Sequence, residues 1–524
     1  MTQRYLSYTL LHCLFFLTFV GLGTTRAQDF TPFFDFYNLG GWKAYASSQV
    51  NDYSVWDRIE HDCSRKVNPE TMEAFKFMPK TSQADFRSLA KSRAPVSVIS
   101  FGSMPKFFLR SKIFKASELK YIMACITGMQ FSESVAYIED FNYFDDFMGY
   151  YNFLKSQRNV VYPFMGLDNT FMMISNKSDF QLALDNPDQL GIILSLTGAH
   201  VLGSSVFQEN GLTTTEGYRR LILKNIQKLK GQVPIMENTS FFMEHPIFYF
   251  GLASADENGI VGSARMMGKK QESVFGKQTN VGTGFTALGQ EVVEALLDDT
   301  QGNRILIDIS QMSLDGRKQY YAYVRDLRKE GKEIPIVASH VGISGLNWDS
   351  DLYRAPDDEL KNLESYLNHW RISMSRQDIQ NILESKGLIG VPIQLQKTCG
   401  TKFFLGLREI VPGSAQERAW YVQAYLANVF TIVDVHNKKE AWDHIVVGSE
   451  FDRISPSYRP YETAAEMQAF IRDITKYLES EAGIFDLFAE EDIDRLSFGY
   501  EPKELVHKLF YENSARFIME HLPD

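Results

Sequence analysis

A chain of 524 residues, of which 44% are hydrophobic and 13% aromatic, can bury a large core and is not a disordered protein. The formal net charge of −11 at pH 7 argues against nucleic acids and anionic membranes as partners, because both select for basic surfaces. A chain of this length is typical of about three domains, but α/β barrels also run long as single domains.

The amino-terminal sequence carries an apolar stretch from about Thr9 to Gly23, preceded by Arg4. This stretch is short for a membrane-spanning helix, and it ends at Thr25-Arg26-Ala27, which is typical of a cleavage site. An uncleaved anchor is the alternative interpretation. We therefore predict a signal peptide over residues 1–27 and a mature chain of residues 28–524. The mature chain has no predicted transmembrane helix and is expected to be periplasmic, secreted or attached to the cell surface.

The mature chain would keep three cysteines, Cys63, Cys125 and Cys399. This odd number permits one disulfide at most and is not a disulfide framework. Their wide separation also lacks the spacing of a cysteine zinc site.

Short apolar runs alternate with amphipathic helical runs along the chain. The apolar runs predict strands at residues 33–39, 95–101, 191–197, 233–237, 304–310, 334–339, 387–393 and 444–449. The last five are apolar almost throughout, as expected for parallel strands that are covered on both faces. Eight such strands with helices between them predict an α/β fold of the (β/α)₈ TIM-barrel class.

The helical periodicity is clearest between the later strands. It predicts helices at residues 286–299, 317–331, 375–387 and 415–434. Ser375 and Asp378 predict a capping box, and Gly331 predicts a helix end. Two insertions, at about residues 40–93 and 103–189, follow the first two strands. The second insertion contains a predicted extra strand and helix over residues 170–185.

In such a barrel the active site lies at the carboxyl ends of the strands, a region we call the barrel mouth. The polar residues predicted there are Thr197, His200, Asp308, Gln311, Ser339, His340, Glu450 and Asp452. Histidines and carboxylates from several strands are what a hydrolase needs to hold a water-activating divalent cation. Structural roles are the alternative: His200 could bond a backbone carbonyl, Asp308 could be a satisfied core carboxylate, and Asp452 could cap a turn.

Five stretches occur in an order that resembles the membrane dipeptidase family, also called renal dipeptidase-like. They are ILIDISQMS, IPIVASHVG, ESKGLIGVPI, HIVVGSEFDRI and LFYENSARFIMEHL, and the resemblance covers about residues 190–521. The resemblance implies that the (β/α)₈ barrel is of the metal-dependent hydrolase type, with an amidohydrolase-type barrel. It also implies a zinc-dependent metallopeptidase that hydrolyses dipeptides. It also allows a homodimer, for which no residue of the chain argues.

Four positions that carry metal ligands in this family have other residues in this chain. The His-x-Asp or His-x-His pair after the first strand matches Tyr37 and Leu39. The bridging glutamate matches Thr197, and a histidine after strand five matches Gln311. A neutral hydroxyl does not bridge two cations, and an amide oxygen is a poor donor to zinc beside imidazole. We therefore expect zinc to be absent or substoichiometric.

The strand-eight motif is altered as well. Glu450 stands at the position of the family acid, Asp452 is kept, and Arg453 replaces the final glycine. Near the place of a further family histidine the chain offers Glu237 and His245. We retain Glu450 and Asp452 as candidate catalytic residues, His245, His340 and Glu450 as weak metal candidates, and His200, Thr197, Gln311, Ser339, His340 and Arg453 as pocket residues.

Two hypotheses of different classes follow. The first is an active metallodipeptidase or amidohydrolase with a rebuilt ligand set of His340, Glu450, His200 and His245. The second is a pseudoenzyme, a low-activity or non-catalytic barrel that keeps the pocket and binds a small peptide or another small molecule. The loss of metal-ligand positions favours the second hypothesis, because a protein that descends from an enzyme need not be active itself.

Glu450 separates the two hypotheses. A buried carboxylate needs a partner or a proton, and without a metal the nearest candidate is Arg453, with His340 as an alternative. In that case we expect Glu450→Gln to leave the fold intact. With a metal bound, the same substitution would weaken metal binding.

Overall fold

The computed structural model describes residues 30–48, 52–61, 79–103, 118, 121, 124, 125, 142–158, 160–164, 166–186, 188–205, 207, 210–236, 239–255, 257–266, 268, 272, 277–300, 302–354, 357–480 and 482–524. The predicted signal peptide, Cys63 and Glu237 lie outside these residues. The chain divides into a short unit, Met1–Thr31, and a compact unit, Pro32–Asp524. All the elements below belong to the second unit.

The core of this unit is a parallel sheet whose path runs through eight of the described strands in chain order. They are β1 (Asp35–Asn38), β2 (Val96–Phe101), β3 (Gln189–Thr197), β4 (Ile247–Gly251), β5 (Leu306–Asp308), β6 (Val337–Ala338), β7 (Leu388–Val391) and β8 (Ile445–Val447). After β8, the Glu450 N–H donates to the Tyr37 carbonyl at 3.0 Å, and the Leu39 N–H donates to the Phe451 carbonyl at 3.1 Å. These bonds bring the last strand end to the first, and the predicted (β/α)₈ barrel is confirmed.

The fourth strand is not where its sequence predicted it. Residues 233–236 form bends in a partly exposed loop, and β4 is instead Ile247–Gly251, which is buried throughout. Pro234 has no N–H to donate to a strand ladder, so the apolar run around it does not continue the sheet. The other seven predicted strands are confirmed, most of them shorter than predicted.

Helices cover the outside of the barrel. They are Trp42–Ser48, Phe86–Lys91, Tyr143–Gln157, Lys177–Asp185, Glu216–Leu229, Ala287–Leu297, Leu314–Lys329, Asp351–Arg354, Asp357–Lys361, Arg376–Glu384, Leu395–Thr398, Thr401–Leu407, Ala415–His436, Met467–Glu479, Glu490–Ser497, Pro502–His507 and Asn513–His521. The four predicted helices are confirmed, as is the capping box of Ser375 and Asp378. Within the described residues, none of the helices combines the length and the apolar character needed to cross a bilayer.

The second insertion packs beside β3. Its strand Leu167–Met173 pairs in parallel with β3 and forms a hairpin with Tyr162–Phe164, and the helix Lys177–Asp185 follows. The extra strand and helix predicted at residues 170–185 are therefore confirmed. Cys125, in the same insertion, is disulfide-bonded, whereas Cys399 is free and buried.

A buried ion pair joins two neighbouring barrel helices. Arg317, from the helix Leu314–Lys329, donates from Nη1 to the Asp378 carboxylate at 2.9 Å, and both side chains are 0% exposed. The Asp378 carboxylate also accepts the Tyr321 hydroxyl at 2.8 Å and the Ser375 N–H at 2.8 Å. A single carboxylate thus caps one helix and neutralises a cation from the next.

We predict that Arg317→Met lowers the free energy of unfolding by about 3–5 kcal/mol, because it leaves the Asp378 charge buried without its cation. Urea unfolding followed by circular dichroism measures this change. Arg325→Met, at an exposed position of the same helix, is the control and should change stability by no more than about 0.5 kcal/mol. Equal losses in the two variants would contradict the assignment.

Candidate functional site

Side chains from five strand ends meet at the barrel mouth. They belong to Tyr37 on β1, Thr197 at the end of β3, His340 after β6, Lys397 after β7 and Glu450 after β8. Taken as whole residues, these five are 0%, 4%, 0%, 7% and 5% exposed. Four of these positions were singled out from the sequence, and Lys397 was not. The mouth is therefore polar and buried, so each charge in it needs a partner.

Tyr37 is held between an imidazole and a guanidinium. Its ring stacks on that of His340, with centroids 3.7 Å apart and planes 9° from parallel. Arg453 donates to the Tyr37 hydroxyl from Nε at 3.2 Å and from Nη2 at 2.8 Å. Because that oxygen accepts two bonds, its own proton points to Thr197 Oγ1, 3.2 Å away. A phenol therefore fills the position where the resemblance leads us to expect a metal-binding histidine.

The contacts of His340 define its tautomer. Ser339 Oγ donates to Asp308 Oδ2 at 2.6 Å, so the contact of 2.7 Å between Ser339 Oγ and His340 Nδ1 is a donation from the ring. The lone pair is then on Nε2, which faces the amide nitrogen of Gln311 at 3.4 Å. Burial, and then the charges of Lys397 and Arg453, hold the pKa of His340 well below its usual range. The imidazole of His340 is therefore neutral, and the lone pair on its Nε2 faces the side-chain amide of Gln311.

Asp308 is a satisfied carboxylate. It accepts the Ser310 and Ser339 N–H groups at 3.0 Å each and the two serine hydroxyls at 2.5 and 2.6 Å. Burial raises the pKa of Asp308, and these bonds oppose that effect. The residue ties the ends of β5 and β6 together, as the structural interpretation of the sequence proposed.

Glu450 is paired with Lys397. The ammonium lies 2.9 Å from Glu450 Oε1 and donates to the His340 carbonyl at 3.0 Å. Arg453 Nε is 4.0 Å from the same oxygen, so the expectation that Arg453 is the main partner was wrong. Glu450→Gln would leave the buried Lys397 without its counter-charge, so the substitution is not neutral for the fold. Glu450 Oε2 has no hydrogen-bond partner within the described residues.

Asp452 points to the first insertion. Its carboxylate accepts the Gln83 N–H at 2.8 Å and the Ala84 N–H at 2.9 Å, and Lys43 Nζ lies 2.8 Å away. The residue therefore acts as a charged anchor for that insertion.

Glu450 and Asp452 both have left-handed backbones, with φ of 62° and 67°, a conformation that is uncommon for such residues and is held by the surrounding bonds.

The two other candidate histidines, His200 and His245, lie at different ends of the barrel. His200 Nε2 donates to the Ser103 carbonyl at 2.9 Å, and burial lowers the pKa of His200 to about 4. His245 precedes β4, so it lies at the amino end of the barrel, where its Nδ1 is 2.9 Å from the Tyr151 hydroxyl. The structure thus separates His245 from the barrel mouth.

The residues at the barrel mouth do not fit a zinc ion as they are arranged. Zinc needs imidazole lone pairs and thiolate or carboxylate oxygens directed at one point. Here the His340 lone pair meets Gln311, and Glu450 is paired with an ammonium. In the part of the chain that the structure describes, no three His, Cys, Asp or Glu side chains are grouped so as to hold a metal.

Asp35 lies below the mouth and closes the barrel. It accepts the Ser449 N–H at 2.9 Å, the Ser449 hydroxyl at 2.5 Å and the Asn38 amide at 2.9 Å. Burial raises the pKa of Asp35 to about 7, although these donors oppose the shift. Asp35 was not among the sequence candidates, because in the first predicted strand the resemblance pointed to Tyr37 and Leu39 instead.

The fold and the site define the class of this protein as a closed (β/α)₈ barrel with an ion-paired, buried mouth. No family model matches the chain, and no curated protein matches it. Among solved structures it is similar to a dipeptidase described as a metallopeptidase, with a TM-score of 0.47 and 13% identity over 94% of this chain and 99% of that one.

Two further solved structures are similar. A metallopeptidase from Rhodobacter sphaeroides, liganded with a phosphinate mimic of the dipeptide L-Ala-D-Ala, has a TM-score of 0.47 and 12% identity over 94% of this chain and 100% of that one. The probable dipeptidase PvdM from Pseudomonas aeruginosa has a TM-score of 0.43 and 16% identity over 84% and 89%. Similarities of this order carry no argument about activity, and the barrel class rests on the strand order.

We predict that Asp35→Asn flattens the pH dependence of stability. Between about pH 4 and pH 7 the folded wild type holds a proton that the unfolded chain has lost, so its stability falls as pH rises through this window. The slope is at most about 1.4 kcal/mol per pH unit. Urea unfolding of both proteins from pH 4 to pH 8 measures it. Parallel curves for wild type and variant would show that Asp35 does not titrate in this window.

Proposed function

We propose that this chain is a metal-independent, low-activity or non-catalytic barrel of dipeptidase-like type that binds a small ligand with a carboxylate, such as a short peptide. The observation that carries the proposal is that Lys397 and Arg453, two cations of the chain itself, stand at the barrel mouth. A carboxylate ligand is attracted by such cations, whereas a metal ion is repelled by them.

Arg453 is the group that a ligand would meet first. Its side chain is 25% exposed, whereas those of Glu450, Lys397 and His340 are 4%, 9% and 0% exposed. A guanidinium presents several N–H groups in one plane and binds carboxylates with paired hydrogen bonds. Its contact with Tyr37 fixes its orientation without neutralising its charge.

The alternative function is an active metallodipeptidase or amidohydrolase with a rebuilt ligand set. It is supported by two buried lone-pair atoms, Glu450 Oε2 and His200 Nδ1, which have no hydrogen-bond partner among the described residues. Such atoms would accept a cation if the mouth rearranged. The alternative requires Lys397 to leave Glu450, and this costs the buried carboxylate its counter-charge.

We predict that the protein purified without chelator carries well under one zinc per chain by elemental analysis.

In calorimetry, dipeptides should bind to the wild type, and Arg453→Met should weaken that binding by about tenfold or more, as expected for a lost charge-assisted hydrogen bond. Arg472→Met, at an exposed position of a distant helix, is the control and should bind as the wild type does.

Two outcomes would decide against the proposal. Two tightly held zinc ions per chain, together with zinc-dependent dipeptide hydrolysis, would establish the metallodipeptidase instead. Unchanged dipeptide affinity in Arg453→Met would remove Arg453 from the ligand site.

We also propose that the chain is exported, by the signal peptide over residues 1–27. The disulfide at Cys125 supports an oxidising compartment. We predict that amino-terminal sequencing of the exported protein starts near Gln28. An intact Met1 on cell-associated protein, with no exported form, would contradict this prediction.

A further inference from the structure

Lys397 reaches the barrel mouth because of where its helix begins. The short helix Leu395–Thr398 follows β7, and the Leu395 N–H donates to the Pro456 carbonyl at 3.1 Å, which holds the helix against the loop after β8. On the β6 side, a Cβ atom on Gly342 would lie 1.8 Å from the Lys397 carbonyl oxygen. Only glycine allows this approach, so the backbone of Lys397 is fixed from two sides.

The surroundings of the ammonium are those of a bound cation. It contacts one carboxylate oxygen, Glu450 Oε1 at 2.9 Å, and one carbonyl oxygen, that of His340 at 3.0 Å. The same carboxylate oxygen lies 3.9 Å from His340 Nε2 and 4.0 Å from Arg453 Nε. Lys397 is therefore the closest positive charge to a carboxylate that is almost fully buried.

We infer that the Lys397 ammonium is the built-in cation of the barrel mouth: it contacts Glu450 Oε1 and the backbone carbonyl of His340, and it supplies the positive charge that a metal would supply beside Glu450. The inference deepens the proposed function and rests on it. It assigns the site a ligand class of its own: without the lysine side chain, the two oxygens should accept a primary alkylammonium ion. Oxygens about 3 Å from the cation suit N–H donors, whereas zinc takes its oxygen ligands at about 2.0–2.2 Å.

Lys397→Ala tests the inference, because it removes a segment with the shape and charge of n-propylammonium. The variant should unfold several degrees below the wild type in a thermal scan. Tens of millimolar n-propylammonium should restore a clear part of that loss, whereas n-propanol, which lacks the charge, should not. The wild type should not respond to either compound.

Lys402→Ala is the matched control. Lys402 lies near Lys397 in the sequence and pairs with Asp486 at 2.8 Å, but its side chain is 32% exposed. Its loss should change the melting temperature little and create no response to n-propylammonium. Equal effects of the amine and the alcohol on Lys397→Ala, or no effect of either, would overturn the inference.

A second comparison covers the case in which Lys397→Ala does not fold. Lys397→Met keeps most of the side-chain volume but leaves Glu450 without its cation, and Glu450→Gln in the same chain removes that charge. The double variant should therefore melt at a higher temperature than Lys397→Met alone. A double variant that is no more stable would show that the two side chains are not coupled, and would overturn the inference.

These experiments distinguish a failure of the proposed function from a failure of the inference about Lys397. Stoichiometric zinc binding by the wild type would overturn the proposed function, and the inference with it. If the wild type binds no stoichiometric zinc and n-propylammonium does not raise the melting temperature of Lys397→Ala, the inference alone is overturned. The proposal of a metal-independent barrel would then remain.

Discussion

The ion pair between Lys397 and Glu450 is the contact on which the barrel mouth depends. Removing a carboxylate from water costs several kcal/mol unless a cation or several donors replace the water. At 2.9 Å, Lys397 provides that cation, and its second bond, to the His340 carbonyl, joins the ends of β6, β7 and β8. Burial is the main cause that lowers the pKa of His340 and keeps its imidazole neutral, and the positive charges of Lys397 and Arg453 add to this effect.

Three further buried carboxylates, Asp452, Asp35 and Asp308, differ in whether a cation lies beside them. Asp452 has the ammonium of Lys43 at 2.8 Å in addition to two backbone N–H groups, and it anchors the first insertion. Asp35 and Asp308 rely on hydroxyl, amide and backbone donors alone, and burial raises the pKa of both. Hydrogen bonds hold these two acids in place but do not offset the whole cost of burying their charge.

The positions that the resemblance assigns to metal ligands are not empty in this chain. Tyr37 stacks on His340, Gln311 meets the His340 lone pair, and Thr197 accepts the Tyr37 hydroxyl. These groups are neutral and bond to one another, whereas the charged members of the mouth are cations balanced by one glutamate. Arg453 keeps part of its side chain in contact with solvent, and this cation is the basis on which we propose a ligand with a carboxylate.

The sequence by itself determined the barrel class, seven of the eight strands and the capping box of Ser375 and Asp378, because these depend on local patterns of apolar and capping residues. It also placed His340, Glu450, Thr197 and Gln311 at strand ends. It failed at β4, where Pro234 interrupts an apolar run. His245, a weak metal candidate from the sequence, lies before β4 at the amino end of the barrel.

Only the tertiary structure decided which charges meet. Lys397 and Glu450 are far apart in the sequence, and neither neighbouring stretch reveals the other, so the pair exists only because β7 and β8 end side by side. The same holds for Asp452 and Lys43, and for Asp35 and Ser449, which closure of the barrel brings together. Local patterns follow from the spacing of neighbouring residues, whereas the partner of a buried charge is set by the packing of strands distant in the chain.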